Sequence, residues 1–375
     1  MPKTHPVAEP TVTPSSPAAP KVGQPMPLFY AKAGSLYVSD PAGAPGRKLT
    51  DGPADTQPAP SPDLAHVAFV HKANASDDGG ELWVLDLSPE HTLVGAPRQL
   101  VDPAALSPRH VAEFGQFVSP RWSPTGNQVA FLESRPGGGF LLVAAAETGA
   151  VVPPQKLLFA HAYAWAPDGK HIAWTDGRSD VRPDDVNALT VGAASTAVAK
   201  DTNAFSVTYG KDGQAILFTN GDASGQDFAG IPPFVIRDGG IYSVATPGGA
   251  AANPPAPPTP LFTRQGSYYG DIAALDSGAV AFTEQSADDS SKTIQVLNAG
   301  SLLPRTTSAN VAADGPGPVW GAGDIVAYLD TSPGSALVVT DVNNRTPKPI
   351  DTGVDAFAWP PRTIGTTSGG KTVPQ

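Results

Sequence analysis

Carboxylates are the commonest groups in this sequence that could do chemistry. The chain of 375 residues carries 35 Asp and Glu, seven His and no Cys. With no thiol there is no thiolate nucleophile, no disulfide frame and no zinc ribbon. A Gly-x-Ser-x-Gly elbow, the strained turn that exposes a serine nucleophile, is also absent from the sequence. The carboxylates gather in short stretches: Asp77 and Asp78; Asp184 and Asp185, with Asp176 and Asp180 just before them; Asp227, with Asp222; and Asp288 and Asp289. A divalent cation or a basic partner could bind such stretches. None has the alternating oxygen ligands of an EF-hand, and Asp-rich loops are commonly just solvated. A second candidate set comes from aligning the internal repeat described below, which brings His161, Asp271 and Asp355 to nearly one level. That set would suit a small polar ligand or ion. No catalytic residue is assigned and no cofactor is expected, the acidic stretches being the one place for a divalent cation.

The elements that must hold these groups are legible in composition. Gly (39) and Pro (42) make about a fifth of the chain, and charged residues are 16% against roughly 25% in ordinary globular proteins. This disfavours long exposed helices and favours many short strands joined by tight turns. Lys and Arg number 24, leaving a formal charge of -11 with no basic cluster. Phosphate neutralisation needs a positive face, so nucleic acid is excluded as a partner, and so is docking on anionic lipid. No apolar run approaches the roughly 18 residues of a membrane span. Residues 1–26 are rich in Pro, Thr and Ala, and with residues 362–375 they bury too little apolar surface to fold. The first is read as a disordered, extended tether and the second as a disordered tail. The expectation is an exported chain, periplasmic or at the cell surface, with a secretion signal or lipid anchor upstream of Met1. A natural cytosolic start with a loose tail is the alternative.

A short pattern recurs seven times: a branched or aliphatic residue, usually Ala, then an aromatic. It ends at Tyr30, Phe69, Phe131, Trp174, Phe218, Phe282 and Tyr328, at intervals of 39, 62, 43, 44, 64 and 46 residues. Upstream of most lies a turn such as Trp122-Ser123-Pro124-Thr125-Gly126 or Trp165-Ala166-Pro167-Asp168-Gly169. Pro presets the first corner and Gly takes the positive dihedral, so each marks a hairpin. Downstream comes an alternating strand such as Glu81-Leu82-Trp83-Val84-Leu85-Asp86, and then a shorter fourth one. Four antiparallel strands per unit make a propeller blade. The first unit lacks its opening strand, and Val354-Asp355-Ala356-Phe357-Ala358-Trp359-Pro360 is an opening strand with nothing after it. The two complete each other. The prediction is an all-β, seven-bladed propeller over 27–361, with blades at 27–51 plus 354–361, 54–102, 117–159, 160–200, 203–263, 267–308 and 314–351. Six blades is the alternative if 204–308, where Ala274 replaces the turn aromatic, folds differently.

The Trp-Ser-Pro-Asp-Gly type of turn, the Ile-Ala-Phe type of strand and the Leu-Tyr-Val-x-Asp type of strand together resemble the WD40-like repeat of TolB-type propellers. The resemblance covers essentially 27–361 and implies fold more than function, because the repeat also occurs in propeller domains of prolyl-oligopeptidase-like peptidases and in some polysaccharide lyases. TolB itself has six blades and an amino-terminal α/β domain, so its specific partners do not carry over. The lyases typically gather several histidines around a channel metal. Here His5, His66, His71, His91, His110, His161 and His171 all fall in the first half of the chain, which argues against such a ring. The longer insertions fall between second and third strands and between units, on one face, while the opposite turns read as short. Long loops on a rigid scaffold point to binding. The expected function is therefore a non-catalytic binding or assembly module for a protein partner in the cell envelope or outside the cell. A polysaccharide lyase or hydrolase working at the channel mouth is the alternative.

Overall fold

The computed structural model describes residues 26–39, 45–77, 79–102, 106, 116–135, 138–152, 158–176, 185–200, 202–220, 239–247, 257–286, 292–301, 303–311, 319–320, 323–331, 335–343 and 347–362. The expected tether up to residue 25 and the tail from 363 lie outside them, as do Asp78, Asp184, Asp227, Asp288 and Asp289.

Every repeated unit becomes a four-stranded antiparallel blade. Blade 1 holds β1 (Leu28–Lys32), β2 (Ser35–Ser39) and β3 (Arg47–Lys48). Blade 2 holds β4 (Asp55–Pro60), β5 (His66–His71), β6 (Glu81–Leu87) and β7 (Leu93–Gln99). Blade 3 holds β8 (Phe117–Trp122), β9 (Gln128–Arg135), β10 (Gly138–Ala145) and β11 (Phe159–Ala160). Blade 4 holds β12 (Tyr163–Trp165), β13 (His171–Thr175), β14 (Val186–Thr190) and β15 (Ser195–Ala199). Blade 5 holds β16 (Ala204–Tyr209), β17 (Ala215–Asn220), β18 (Gly240–Ala245) and β19 (Thr259–Thr263). Blade 6 holds β20 (Ser267–Ala274), β21 (Val280–Ser286), β22 (Lys292–Leu297) and β23 (Arg305–Val311). Blade 7 holds β24 (Val319–Trp320), β25 (Ile325–Asp330), β26 (Ala336–Asp341) and β27 (Lys348–Asp351), after which β28 (Val354–Ala358) returns to blade 1. Residues 204–308 thus form two complete blades, and the six-bladed alternative fails. Ala160 belongs to blade 3 rather than opening blade 4, and blade 6 runs on to Val311.

In blades 2 to 7 the first two strands meet in the turn that the sequence marks. Gly126 N–H donates to Ser123 O at 2.9 Å, and the same bond recurs from Gly169 to Ala166 and from Gly213 to Gly210. Gly169 has φ +66°, and a Cβ there would lie 2.7 Å from Thr125 of the preceding turn. Glycine is required on both counts.

The repeated aromatics fill the seams between blades. Tyr30, Phe69, Phe131, Phe218, Phe282 and Tyr328 are at most 1% exposed, and Trp174 is 3% exposed. Phe29, Leu36 and Val38 of blade 1 pack on Val67, Phe69 and Leu85 of blade 2. Ala68 and Leu82 of blade 2 pack in turn on Phe117, Phe131 and Leu142 of blade 3. Burying one such aromatic contributes roughly 1.5–3 kcal/mol, and the pattern continues around the ring to a seam where Ala327, Leu329 and Leu337 of blade 7 meet Leu28, Tyr30, Phe357 and Trp359.

Closure is made by β28, which pairs antiparallel with β1 through Phe29↔Ala358, Tyr30↔Phe357, Ala31↔Ala356 and Lys32↔Val354. The described residues extend slightly past both expected limits. Met26, expected within the tether, accepts a hydrogen bond from Trp359 Nε1 at 3.3 Å. Arg362, expected to open the tail, donates to Ala274 O at 2.7 Å and pairs with Asp276 at 3.0 Å, so the chain beyond β28 is tied to blade 6.

A polar latch joins blade 7 to blade 1. Asp351 accepts from Tyr30 Oη at 2.8 Å and from Lys32 Nζ at 2.7 Å. Burial opposes ionisation of Asp351, but the bonds from Lys32 and Tyr30 outweigh it and hold the carboxyl below the usual aspartate range. Because the folded-state value is depressed, the latch stabilises fully above the ordinary Asp value of about 3.9 and is lost as pH falls through the folded-state value. Asp351→Asn is expected to cost about 1.5–3 kcal/mol at neutral pH. The gap between wild-type and variant melting temperatures should narrow in acid, and a gap independent of pH would refute the latch.

Candidate functional site

The first strands of blades 1 to 6 surround a central cavity of about 710 Å³, within the range that accepts a small organic ligand. The twist that closes a ring crowds these strands at the axis, and five of them carry bulges. The register shifts between Thr56 and Ala59 in β4, Val118 and Arg121 in β8, Ala204 and Ser206 in β16, Gly270 and Ile272 in β20, and Val354 and Ala356 in β28. A bulge inserts one residue and re-aims the side chains beside it.

In blades 2 and 3 the bulge holds a non-glycine residue in the left-handed region, Gln57 at φ +49° and Ser119 at φ +54°. Both precede a proline and both line the cavity. Such conformations cost of order 1–3 kcal/mol and persist only where surrounding contacts enforce them. The contacts are present. Ser119 N–H donates to Gln57 Oε1 at 2.6 Å, which fixes the amide and leaves Nε2 as the outward donor. The Tyr163 hydroxyl lies within reach of Ser119 O and of Ala130 O, the latter at 2.9 Å. Burial pushes that hydroxyl well above its ordinary value, so it remains a donor.

Arg121 is oriented by the same neighbours. Its Nη1 donates to Tyr163 O at 2.8 Å, and the guanidinium sits 5.1 Å from the centroid of the Tyr163 ring. Its carbonyl accepts from Trp165 Nε1 at 3.1 Å. Lys72, just past β5, lines the cavity as well. Among the described residues neither Lys72 nor Arg121 has a carboxylate within ion-pair distance.

Of the residues aligned from the sequence, Asp271 and Asp355 line this cavity and His161 does not. Asp271 pairs with Lys292 at 3.3 Å, and Asp355 is exposed to the channel. His161 bonds through its peptide N–H to Thr175 O at 3.0 Å, and burial holds its imidazole below the ordinary value. The acidic-stretch residues within the described set stay away from the cavity lining. Asp77 accepts from the Asn74 peptide at 2.9 Å, and Asp185 O accepts from the Asp176 peptide at 2.9 Å. Among the described residues no three His, Cys, Asp or Glu gather as a metal site.

Sequence reasoning missed Gln57, Ser119, Arg121 and Lys72. A signal was present for the first two: Gln57-Pro58 and Ser119-Pro120 each stand four residues ahead of a Ser-Pro turn. It also missed three imidazole–carboxylate pairs, His66–Asp86 at 2.7 Å, His71–Asp55 at 2.6 Å and His171–Asp168 at 2.6 Å. The first two bind adjacent strands of blade 2, and the third ties a turn to β13.

No family model matches the sequence, and no curated protein matches it. Solved structures do. TolB from Acinetobacter baumannii superposes with a TM-score of 0.51 at 17% identity, over 80% of this chain and 67% of that one. The fold is the β-propeller that TolB also carries. The tricorn protease aligns with a TM-score of 0.59 at 11% identity, over 88% of this chain and 34% of its own. Puromycin hydrolase aligns at 0.57 and 15% identity, over 92% and 54%. This chain therefore spans about a third of the one enzyme and about half of the other, and about two thirds of TolB. Likeness at these identities concerns the propeller wheel alone. Among the described residues no helix is long and apolar enough to cross a membrane.

Proposed function

We propose that this chain is an extracytoplasmic, non-catalytic binding module that engages a protein partner with the face of the propeller where second strands end and third strands begin. The observation that carries it is topological. The two longest connections, 221–239 and 100–116, both leave the wheel from that edge, where a rigid scaffold presents variable segments. The opposite edge is less uniformly short than the sequence implied. Its first-to-second-strand turns are tight, but 146–158 and 246–258 connect strands there too. Support from TolB is limited to the shared wheel.

The test is capture from an envelope extract on the immobilised chain, with the retained protein identified and its binding then measured directly. Replacing 221–239 by a short Gly-Ser turn is expected to abolish binding and leave melting unchanged. Undiminished binding by that variant would exclude this face. Asp271 and Asp355, both on the cavity wall, favour the second reading of a polysaccharide lyase or hydrolase, since such enzymes work with paired acids. Release of unsaturated uronate or reducing sugar, lost in Asp355→Asn, would establish that reading instead.

A further inference from the structure

The cavity wall formed by blades 2 and 3 differs in charge from the walls on blades 1 and 6. On blades 2 and 3 stand Lys72, the Gln57 amide with Nε2 left to donate, the Ser119 hydroxyl and the Arg121 guanidinium. Asp355 stands on blade 1, whose β28 packs against β4 of blade 2, and Asp271 stands on blade 6. The chain has 35 acids and 24 bases, so Coulomb attraction should leave few cations on a shared wall without a carboxylate. Two are found on sequence-adjacent blades, and both line the channel. Arg121 is also held in place before any ligand arrives, by a carbonyl on one side and an aromatic face on the other. Gln57 is held by the Ser119 peptide in a backbone conformation that has an energetic cost. A row of oriented donors kept at the expense of backbone strain is a wall prepared for an acceptor.

We propose that this wall is an anion subsite that takes the carboxylate of a singly charged ligand, with Arg121 and Gln57 as its principal donors and Lys72 as a charge toward the loop-bearing edge. A planar guanidinium and an amide together offer N–H donors to the two oxygens of a carboxylate. The net charge of -11 and the cavity carboxylates on blades 1 and 6 repel polyanions, which selects a monoanion. Asp355, on the blade next to Gln57, then receives a hydroxyl or ammonium of the same ligand. The site goes beyond the protein-binding face described above and does not depend on it, because it lies inside the ring and involves neither long connection.

The source of the carboxylate is either a free small acid or the carboxyl terminus of a peptide, and calorimetric titration at low salt separates them. The probes are glycolate, glycine, inorganic phosphate, and one short Gly-Ser peptide with its terminus free or amidated. Saturable binding of glycolate or glycine identifies a small acid. Binding of the free peptide but neither small acid, with loss on amidation, identifies a terminus. Either result supports the site if Gln57→Glu weakens it at least tenfold. That variant keeps the acceptor for Ser119 N–H and puts a negative charge where the carboxylate would sit, so its melting temperature should match wild type. Arg121→Ala should weaken the same probe comparably, and Asp355→Asn should weaken glycine more than glycolate. Phosphate binding as tightly as any carboxylate overturns the ligand class. Absence of carboxylate binding, or binding indifferent to Gln57→Glu, overturns the site.

Discussion

Deleting residues 354–375 is expected to abolish cooperative unfolding of the chain. The deletion removes β28, and with it four backbone pairings to β1 and three buried side chains, Val354 at 1%, Phe357 at 6% and Trp359 at 7% exposure. Each such side chain contributes roughly 1.5–3 kcal/mol, and loss of the strand uncovers Leu28, Tyr30, Leu337 and Ile350 in the seam beneath. The combined loss is comparable with the whole folding free energy of an ordinary domain, about 5–15 kcal/mol. It also opens the ring, leaving β1 as an unpaired edge that invites association. Urea unfolding followed by tryptophan fluorescence is expected to give a broad transition with soluble aggregates. Truncation after Arg362 preserves the contacts to Met26, Ala274 and Asp276 and is the matched comparison. A sharp transition for the longer deletion, at the wild-type midpoint, would mean that the ring is not closed through its ends.

Phe131→Ala is expected to cost about 3–5 kcal/mol, the range for removing a fully buried ring. Phe131 is 0% exposed and meets Phe117 edge to face at 5.0 Å in the seam that also holds Ala68 and Leu82 of blade 2. It is the residue of β9 that faces the β8 bulge, since Val118 pairs with Leu132 and Arg121 with Ala130. Its loss therefore removes support from Ser119 and Arg121 as well as from the seam. Phe131→Leu, which keeps most of the volume, should recover most of the stability. A shift of the urea midpoint equivalent to less than about 1 kcal/mol for Phe131→Ala would show that seam packing is not what holds the blades together.

The seven aromatics, the Pro-Gly turns and the unmatched opening strand at 354–360 were legible because each answers a demand that recurs in every blade. A seam must be filled, a hairpin needs a residue with positive φ, and a ring needs its ends paired. Repetition turns those demands into spacing. The cavity wall obeys no such repetition. His161 and Asp355 align at one level, yet only Asp355 lines the channel, and Asp271 stands within a bulge between Gly270 and Ile272. A shift of one residue moves a side chain to the other face of a strand, so an alignment that counts residues cannot say which polar group points inward once bulges intervene.

The amino-acid sequence alone determined that this chain is an all-β wheel of seven four-stranded blades closed by its own last strand, because burial and turn geometry restrict residue type at every repeat. Only the tertiary structure decided which side chains share the axis: Gln57 and Ser119 held at positive φ, Arg121 set against Tyr163, and Asp271 and Asp355 lining the same cavity. Those positions come from strands far apart in sequence that meet only when the ring closes, and the strain that orients two of them is enforced by neighbours contributed by other blades.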